Sequence, residues 1–271
     1  DTENDFGTQG SPPTHPQLLD WLACEFVEQN WSIKSLQRLI VNSATYRQSS
    51  RVRSDVADSY NRLLARQSRL RLEAETIRDT ALAAGGLLSH RIGGPSVHPP
   101  QPEGVFAFTQ DPKPWKPEPG DGSYRRGMYT FFWRSSPYPA LIVFDAPTGN
   151  VTCTRRVTSN TPMQALTLAN DLQFVAAARA LATKIQANGS ADIDKAIEFA
   201  FKTCLSRRPS QFERQRLRQM FELQLASFEK DIEAARAFSG EADGADDVAV
   251  KATWTAIARV LMNLDEFITR E

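Results

Sequence analysis

Residues 124–164, YRRGMYTFFWRSSPYPALIVFDAPTGNVTCTRRVTSNTPMQ, decide the fold class, because they hold the only convincing strand candidates in the chain. Residues 128–134 and 141–144 are rich in aromatic and β-branched side chains, and Ser135-Ser136-Pro137-Tyr138-Pro139 separates them. That pattern predicts a small β-hairpin or extended element. The sequence on both sides has helical periodicity. The expected class is therefore mainly α, a multi-helix domain with one small β element and a long Pro-rich loop.

The same stretch concentrates unusual chemistry. Aromatics are 9% of the chain, yet eight fall between residues 115 and 144: Trp115, Tyr124, Tyr129, Phe131, Phe132, Trp133, Tyr138 and Phe144. Arg125, Arg126, Arg134, Arg155 and Arg156 punctuate the region. A guanidinium is a rigid fork of donors that also stacks on rings, which suits carboxylate, sulfate, phosphate or sugar recognition. The candidate binding residues are Arg125, Arg126, Trp133, Arg134, Asp145, Arg155, Arg156, Asn160 and Gln164, of which Arg155, Arg156, Asp145 and Trp133 are expected to approach a common concave surface. Each also has a structural alternative. Aromatics alternating with polar residues describe a half-buried strand, Asp145 can accept turn amides, and Asn160 and Gln164 can satisfy a helix start.

Upstream, Thr14-His15-Pro16-Gln17 fits a capping box ahead of Leu18, Leu19, Leu22, Phe26 and Val27, predicting a helix over 15–29. Ser32 caps a second over 33–43, bearing Ile33, Leu36, Leu39 and Ile40, so the two form a helical hairpin. A polar connection over 42–51 leads to a helical pattern from about 59 to 88, with Arg62, Arg66 and Arg69 on one face. Such a charge ladder is usually a solvated face; the alternative is that Glu73 or Asp79 points into a polar site with Arg78 as counter-ion. Residues 93–123 contain eight prolines and read as an irregular segment, either a loop that lines or covers a site or a flexible linker.

Downstream, Thr161-Pro162-Met163-Gln164 reads as a capping box, and a break at Asn170-Asp171 lets Asp171 cap a helix running to Asn188-Gly189. Ser190 opens the next helix. Ser210-Gln211-Phe212-Glu213 opens one of about 26 residues ending at Phe238. Residues 239–247 form an acidic loop, and 248–269 a last helix.

Lys plus Arg and Asp plus Glu are 32 each, so net charge offers no attraction to nucleic acid. No apolar run is long enough to span a membrane. Cys24, Cys153 and Cys204 are far apart and show no CxxCH, which excludes haem attachment to this chain. His15, His90 and His98 are isolated, so no metal site is read from spacing. The polar opening DTENDFGTQGSPPTHP reads as an internal boundary of a longer protein.

Several long strings occur in order: NDFGTQGSPPTHPQLLDWLACEFV, LIVNSATYRQSSR, LLARQSRLRLEAETIRDTAL, GGPSV, FFWRSSPYPALIVFDAP, TCTRRVTSNTPMQALTLAND and ARVLMNLDEFITRE. Together they resemble the planctomycete domain of unknown function 1553, found C-terminally in large secreted proteins that often carry cytochrome c modules. The resemblance implies one C-terminal domain over 1–271, with helices in 1–92, the loop and aromatic segment in 93–161, and helices again in 162–271. It also implies an extracytoplasmic setting, haem c in other domains of the full-length protein, and partners in the preceding domain, the cytochrome modules and a polysaccharide. It carries no known reaction. Three readings stay open: a binding and interaction domain presenting a carbohydrate- or anion-binding surface, part of the active site of a polysaccharide-acting hydrolase or oxidoreductase, or a purely structural scaffold. Glycoside cleavage usually needs two placed carboxyls, and Asp145 is the only obvious one in the central segment.

Overall fold

The computed structural model describes residues 8–52, 55–105, 114–189, 192–242 and 247–270. Its eleven described α-helices are accompanied by one two-stranded antiparallel sheet, so the chain is mainly α. Backbone contacts divide it into two units, residues 1–71 with 269–271, and residues 72–268.

In the first unit α1 (Pro16–Glu28) and α2 (Ile33–Asn42) form the expected hairpin, followed by a single turn, α3 (Ala44–Arg47). Ser32 caps α2 by accepting from Ser35 N. The expected box at Thr14 does not form. His15 is the N-cap and makes no side-chain cap bond, while Thr14 Oγ1 lies 2.9 Å from His15 Nδ1. The helix expected from residue 59 is also absent until residue 74. Asp58 accepts from the backbone of Arg62 and Leu63, and Asn61 and Leu64 have φ of 51° and 55°, which breaks helical propagation. Arg66 therefore donates to the Asp58 and Ser59 carbonyls and shares no helix face with Arg62 and Arg69. The sheet pairs β1 (Leu70–Arg71) with β2 (Thr269–Arg270).

The second unit holds the core. α4 (Ala74–Gly85) ends where Gly86 takes φ 78°, a left-handed cap that glycine adopts without strain. Gly85 lets α4 approach α7 (Leu172–Gly189) closely, since a Cβ there would stand 2.7 Å from the Ala177 carbonyl oxygen. α7 turns Ala177, Ala178, Leu181, Ala182 and Ile185 fully inward, toward α4 and α11 (Val248–Met262) with Ile257, Ala258 and Leu261. Burying a Leu or Ile side chain contributes about 1.5–3 kcal/mol, so this alanine-and-leucine seam dominates the unit's stability. α8 (Ile193–Leu205) adds Ile197, Phe201 and the buried Cys204, whose thiol burial pushes up to about 12.

Four further expectations need correction. Residues 141–144 are not a strand: Pro139 starts a short helix, α5 (Pro139–Val143), because its fixed φ suits a first turn. Residues 128–134 hold a 3-10 turn (Gly127–Tyr129) and one isolated parallel bridge from Thr130 to Val97. The helix from Ser210 divides into α9 (Gln211–Lys230) and α10 (Ile232–Ser239), because Asp231 leaves helical geometry and caps Ala234. The last helix stops at Met262, after which residues 265–267 make a 3-10 turn. The Ser210–Glu213 capping box and the break at Asp171, before α7, form as read. Ser190 lies outside the described residues, and Asp192 caps α8. Residues 106–113 of the Pro-rich loop and 243–246 of the acidic loop are likewise outside.

Candidate functional site

The central segment is fastened by donors that its proline-rich neighbour lacks. Proline has no N–H, so the carbonyls of 91–100 must find partners elsewhere. Trp115 Nε1 donates to the Pro99 carbonyl at 2.7 Å and the Tyr138 hydroxyl to that of Pro100 at 2.9 Å. Arg125 serves three more: Pro95 at 2.9 Å, Gly93 at 2.5 Å and Arg91 at 3.3 Å. Its guanidinium also lies 3.7 Å from the centre of the Tyr129 ring, and Arg125 is 2% exposed.

Beneath it, Arg78 of α4 donates to the carbonyls of Arg125 (2.6 Å) and Ser123 (2.8 Å). Burial lowers the Arg78 pKa, against the opposing pull of Tyr138, Asp79 and Asp171. One turn of α4 presents Glu75 and Asp79 to two arginines of the central segment. Asp79 accepts from Gly127 N at 2.6 Å and from Arg126 Nε at 3.2 Å. Gly127 is required there, since a Cβ would stand 2.8 Å from Glu75 Cα. Arg156 makes a two-pronged pair with Glu75, at 2.5 and 3.2 Å, with Glu73 at 3.5 Å. The Glu75 bond raises the Arg156 pKa.

A second group closes the 145–164 loop. Asp145, at φ 63°, accepts from Ser159 N at 2.7 Å and from Ser159 Oγ at 2.8 Å. Gln164, 1% exposed, donates to the Val143 carbonyl at 3.0 Å and to Ser159 Oγ at 3.1 Å, with Asp145 at 3.4 Å. Gln164 therefore turns inward and does not close a box with Thr161, the N-cap of α6 (Pro162–Asn170), which makes no side-chain cap bond. A tertiary carbonyl outbids the local amide.

The nine candidates thus fall into distinct surroundings. Asp145 and Gln164 meet through Ser159, and Arg126 and Arg156 reach carboxylates four residues apart on α4. Arg125 is internal, whereas Arg134, Arg155 and Asn160 are exposed and Trp133 is half-buried against Phe131, with ring centres 6.1 Å apart. Among the described residues no hydrogen bond joins Asp145 to Arg156. A groove of about 610 Å³ lies in the first unit, lined by residues including Trp21, Arg38 and Leu39, and none of the nine lines it.

The candidate residues left out Glu75, Ser159 and His98, and also Trp115 although it stands among the clustered aromatics. The half-buried His98 ring stacks on Phe131 (4.8 Å, 26°) and meets Trp115 edge-on at 4.7 Å, so His98, Trp115, Phe131 and Trp133 form one run of rings. The available signal was the demand of proline-flanked carbonyls for donors, which points to Trp, Tyr and Arg nearby. Among the described residues no group of three or more His, Cys, Asp or Glu side chains could hold a metal ion.

A protein-family model described as PSD1, a protein of unknown function (DUF1553), matches residues 1–221. The chain belongs to this family. No curated protein and no solved structure matches it. The PSD1 match ends inside α9, so α10 and α11 lie beyond it although α11 completes the core of the second unit. Among the described residues, no helix of this PSD1 protein is long and apolar enough to cross a membrane.

Proposed function

We propose that this PSD1 chain is a binding and interaction domain of an extracytoplasmic, cytochrome-c-associated multidomain protein, and that its ring surface takes a carbohydrate. The observation that carries this reading is the contrast between its acids and its rings. Glu75, Asp79 and Asp145 are committed as acceptors in internal bonds, whereas His98, Trp115, Phe131 and Trp133 make a contiguous run of half-buried rings. The C–H faces of a pyranose carry slight positive charge and lie well on the electron-rich faces of such rings. Arg134, exposed beside Trp133 in the chain, suits a sulfate or carboxylate on the same polymer. The preceding domain and the cytochrome modules are the expected protein partners.

Retention of the chain on immobilised neutral and sulfated polysaccharides tests the proposal. Wild type is expected to be retarded, and Trp133→Ala to weaken retention about tenfold, or 1.4 kcal/mol. A folded Trp133→Ala protein that binds like wild type, or a wild type retained by none of the polymers, rejects it. One observation favours the alternative of a polysaccharide-acting hydrolase or oxidoreductase: Glu73 and Glu75 both reach Arg156. Polysaccharide turnover lost in Glu73→Gln, with retention unchanged, would select that reading.

A further inference from the structure

Two arginines meet at the C-terminal end of α10. Arg179 of α7 donates from Nε to the Phe238 carbonyl at 2.9 Å and from Nη2 to that of Ala237 at 2.7 Å. Arg259 of α11 lies 4.9 Å from the centre of the Phe238 ring, and its Nη2 donates to the Ala169 carbonyl and, at 3.4 Å, to Asn170 Oδ1 at the end of α6. Gly240 leaves room for Arg179, since a Cβ there would stand 3.0 Å from its Nη1. Both arginines are half-buried, and the Arg179–Ala237 and Arg259–Asn170 bonds lie at the surface.

Charge shows that this group is incomplete. Each guanidinium keeps its full charge at any ordinary pH, whereas the carbonyls at a helix end carry about −0.5 elementary charge. The ends of α6 and α10 therefore leave about one positive charge unbalanced. Among the described residues, neither Arg179 nor Arg259 forms an ion pair. Glu241, which follows Gly240, pairs with Lys251 instead. Burial lowers the Arg259 pKa, and the neighbouring Arg179 charge lowers it further. Arg259 Nε is buried without an acceptor, and among the described residues Nη1 of each guanidinium donates to none.

We infer that Arg179 and Arg259 together bind a tetrahedral oxyanion, a sulfate or phosphate group, beside the Phe238 ring. The number of forks sets the class. A guanidinium bonds best across a pair of oxygens; a carboxylate offers one such edge and a sulfate or phosphate several, so only the latter satisfies both arginines at once. The anion offsets the repulsion between the two like charges and gives Nη1 of each side chain the acceptor it lacks. The site shares no residue with the ring surface of His98 and Trp133.

Calorimetric titration of the 271-residue chain with sodium sulfate and with inorganic phosphate, in a chloride buffer of fixed ionic strength, tests this. Wild type is expected to take one anion per chain, and to bind acetate at least about tenfold more weakly. Arg179→Gln and Arg259→Gln should each weaken sulfate binding at least about tenfold, and Arg259→Lys, which keeps the charge but loses the fork, about threefold. Arg216→Gln, which removes a guanidinium 5.2 Å from the Phe212 ring, should leave it unchanged. Helical circular dichroism establishes which variants are folded, and Arg259→Lys carries the test if a glutamine variant is not. A wild type without saturable binding up to about 50 mM sulfate or phosphate overturns the inference and leaves both arginines as helix caps only. So does an affinity unchanged in the folded variants of Arg179 and Arg259, or acetate bound as tightly as sulfate.

Discussion

The α7–α11 seam and the α1–α2 hairpin are made from the same amphipathic material and end in opposite states. α11 buries eleven residues and α1 buries none. The difference lies in what faces each helix. Ala177, Ala178 and Ala182 on α7 and Ala252, Ala256 and Ala258 on α11 are small, so the two backbones come close and the leucines and isoleucines among them are enclosed. The hairpin's Leu19, Trp21, Ile33 and Ile40 are large and stay 55%, 50%, 63% and 40% exposed. Periodicity specifies that a segment is helical; burial requires a partner that periodicity does not name.

Substitutions can break or sharpen this contrast. Leu181→Ala in the seam should cost about 2–5 kcal/mol in urea unfolding, because the enclosed site cannot collapse onto the space left. Replacing Arg125 by Met, which strands the carbonyls of residues 91, 93 and 95, should cost about 3 kcal/mol and be rescued only partly by Lys, whose single ammonium cannot fork.

A smaller effect is expected from acid. Arg207 bridges Glu213 (2.7 Å) and Glu266 (2.6 Å), and this pairing, with the Ser210 cap, holds the Glu213 carboxyl down to about 2 from its usual 4.5. A carboxyl lowered on folding contributes stability above its unfolded value and loses it as pH falls through the folded one. Wild type should therefore lose stability between pH 4.5 and about 2, and Glu213→Gln should lose less over that window, as followed by helical circular dichroism. Least of all, Val27→Ala, at a 51% exposed position, should stay within about 0.5 kcal/mol of wild type. A larger loss there would mean that Val27 is covered in solution.

Features set by neighbouring residues were legible in the sequence. The Ser210–Glu213 box, the Ser32 cap and the Asp171 break each depend on atoms three or fewer residues apart, and each forms as read. Long-range features were not. The Leu70–Arg71 strand exists only through its pairing with Thr269–Arg270 at the far end of the chain, and no local pattern marks it. Residues 141–144 looked like a strand by composition, but Pro139 and the buried Leu141 settled a helical turn instead. The candidate residues show the same division. Their chemistry could be listed from the sequence, but Glu75 as the partner of Arg156, and Val143 as that of Gln164, lie 81 and 21 residues away. The guanidinium of Arg125 was read as a ligand-binding fork, and the fork is filled by the protein's own carbonyls.

The enclosure of α8 gives the chain an internal timer. Cys24 and Cys153 are open to solvent, while Cys204 is sealed and almost devoid of thiolate at neutral pH. An alkylating reagent should consume the first two promptly and reach the third only in those moments when α8 swings clear of its neighbours. The lag before a third adduct appears by mass would then report how often the interior breathes, with no label added and no residue changed.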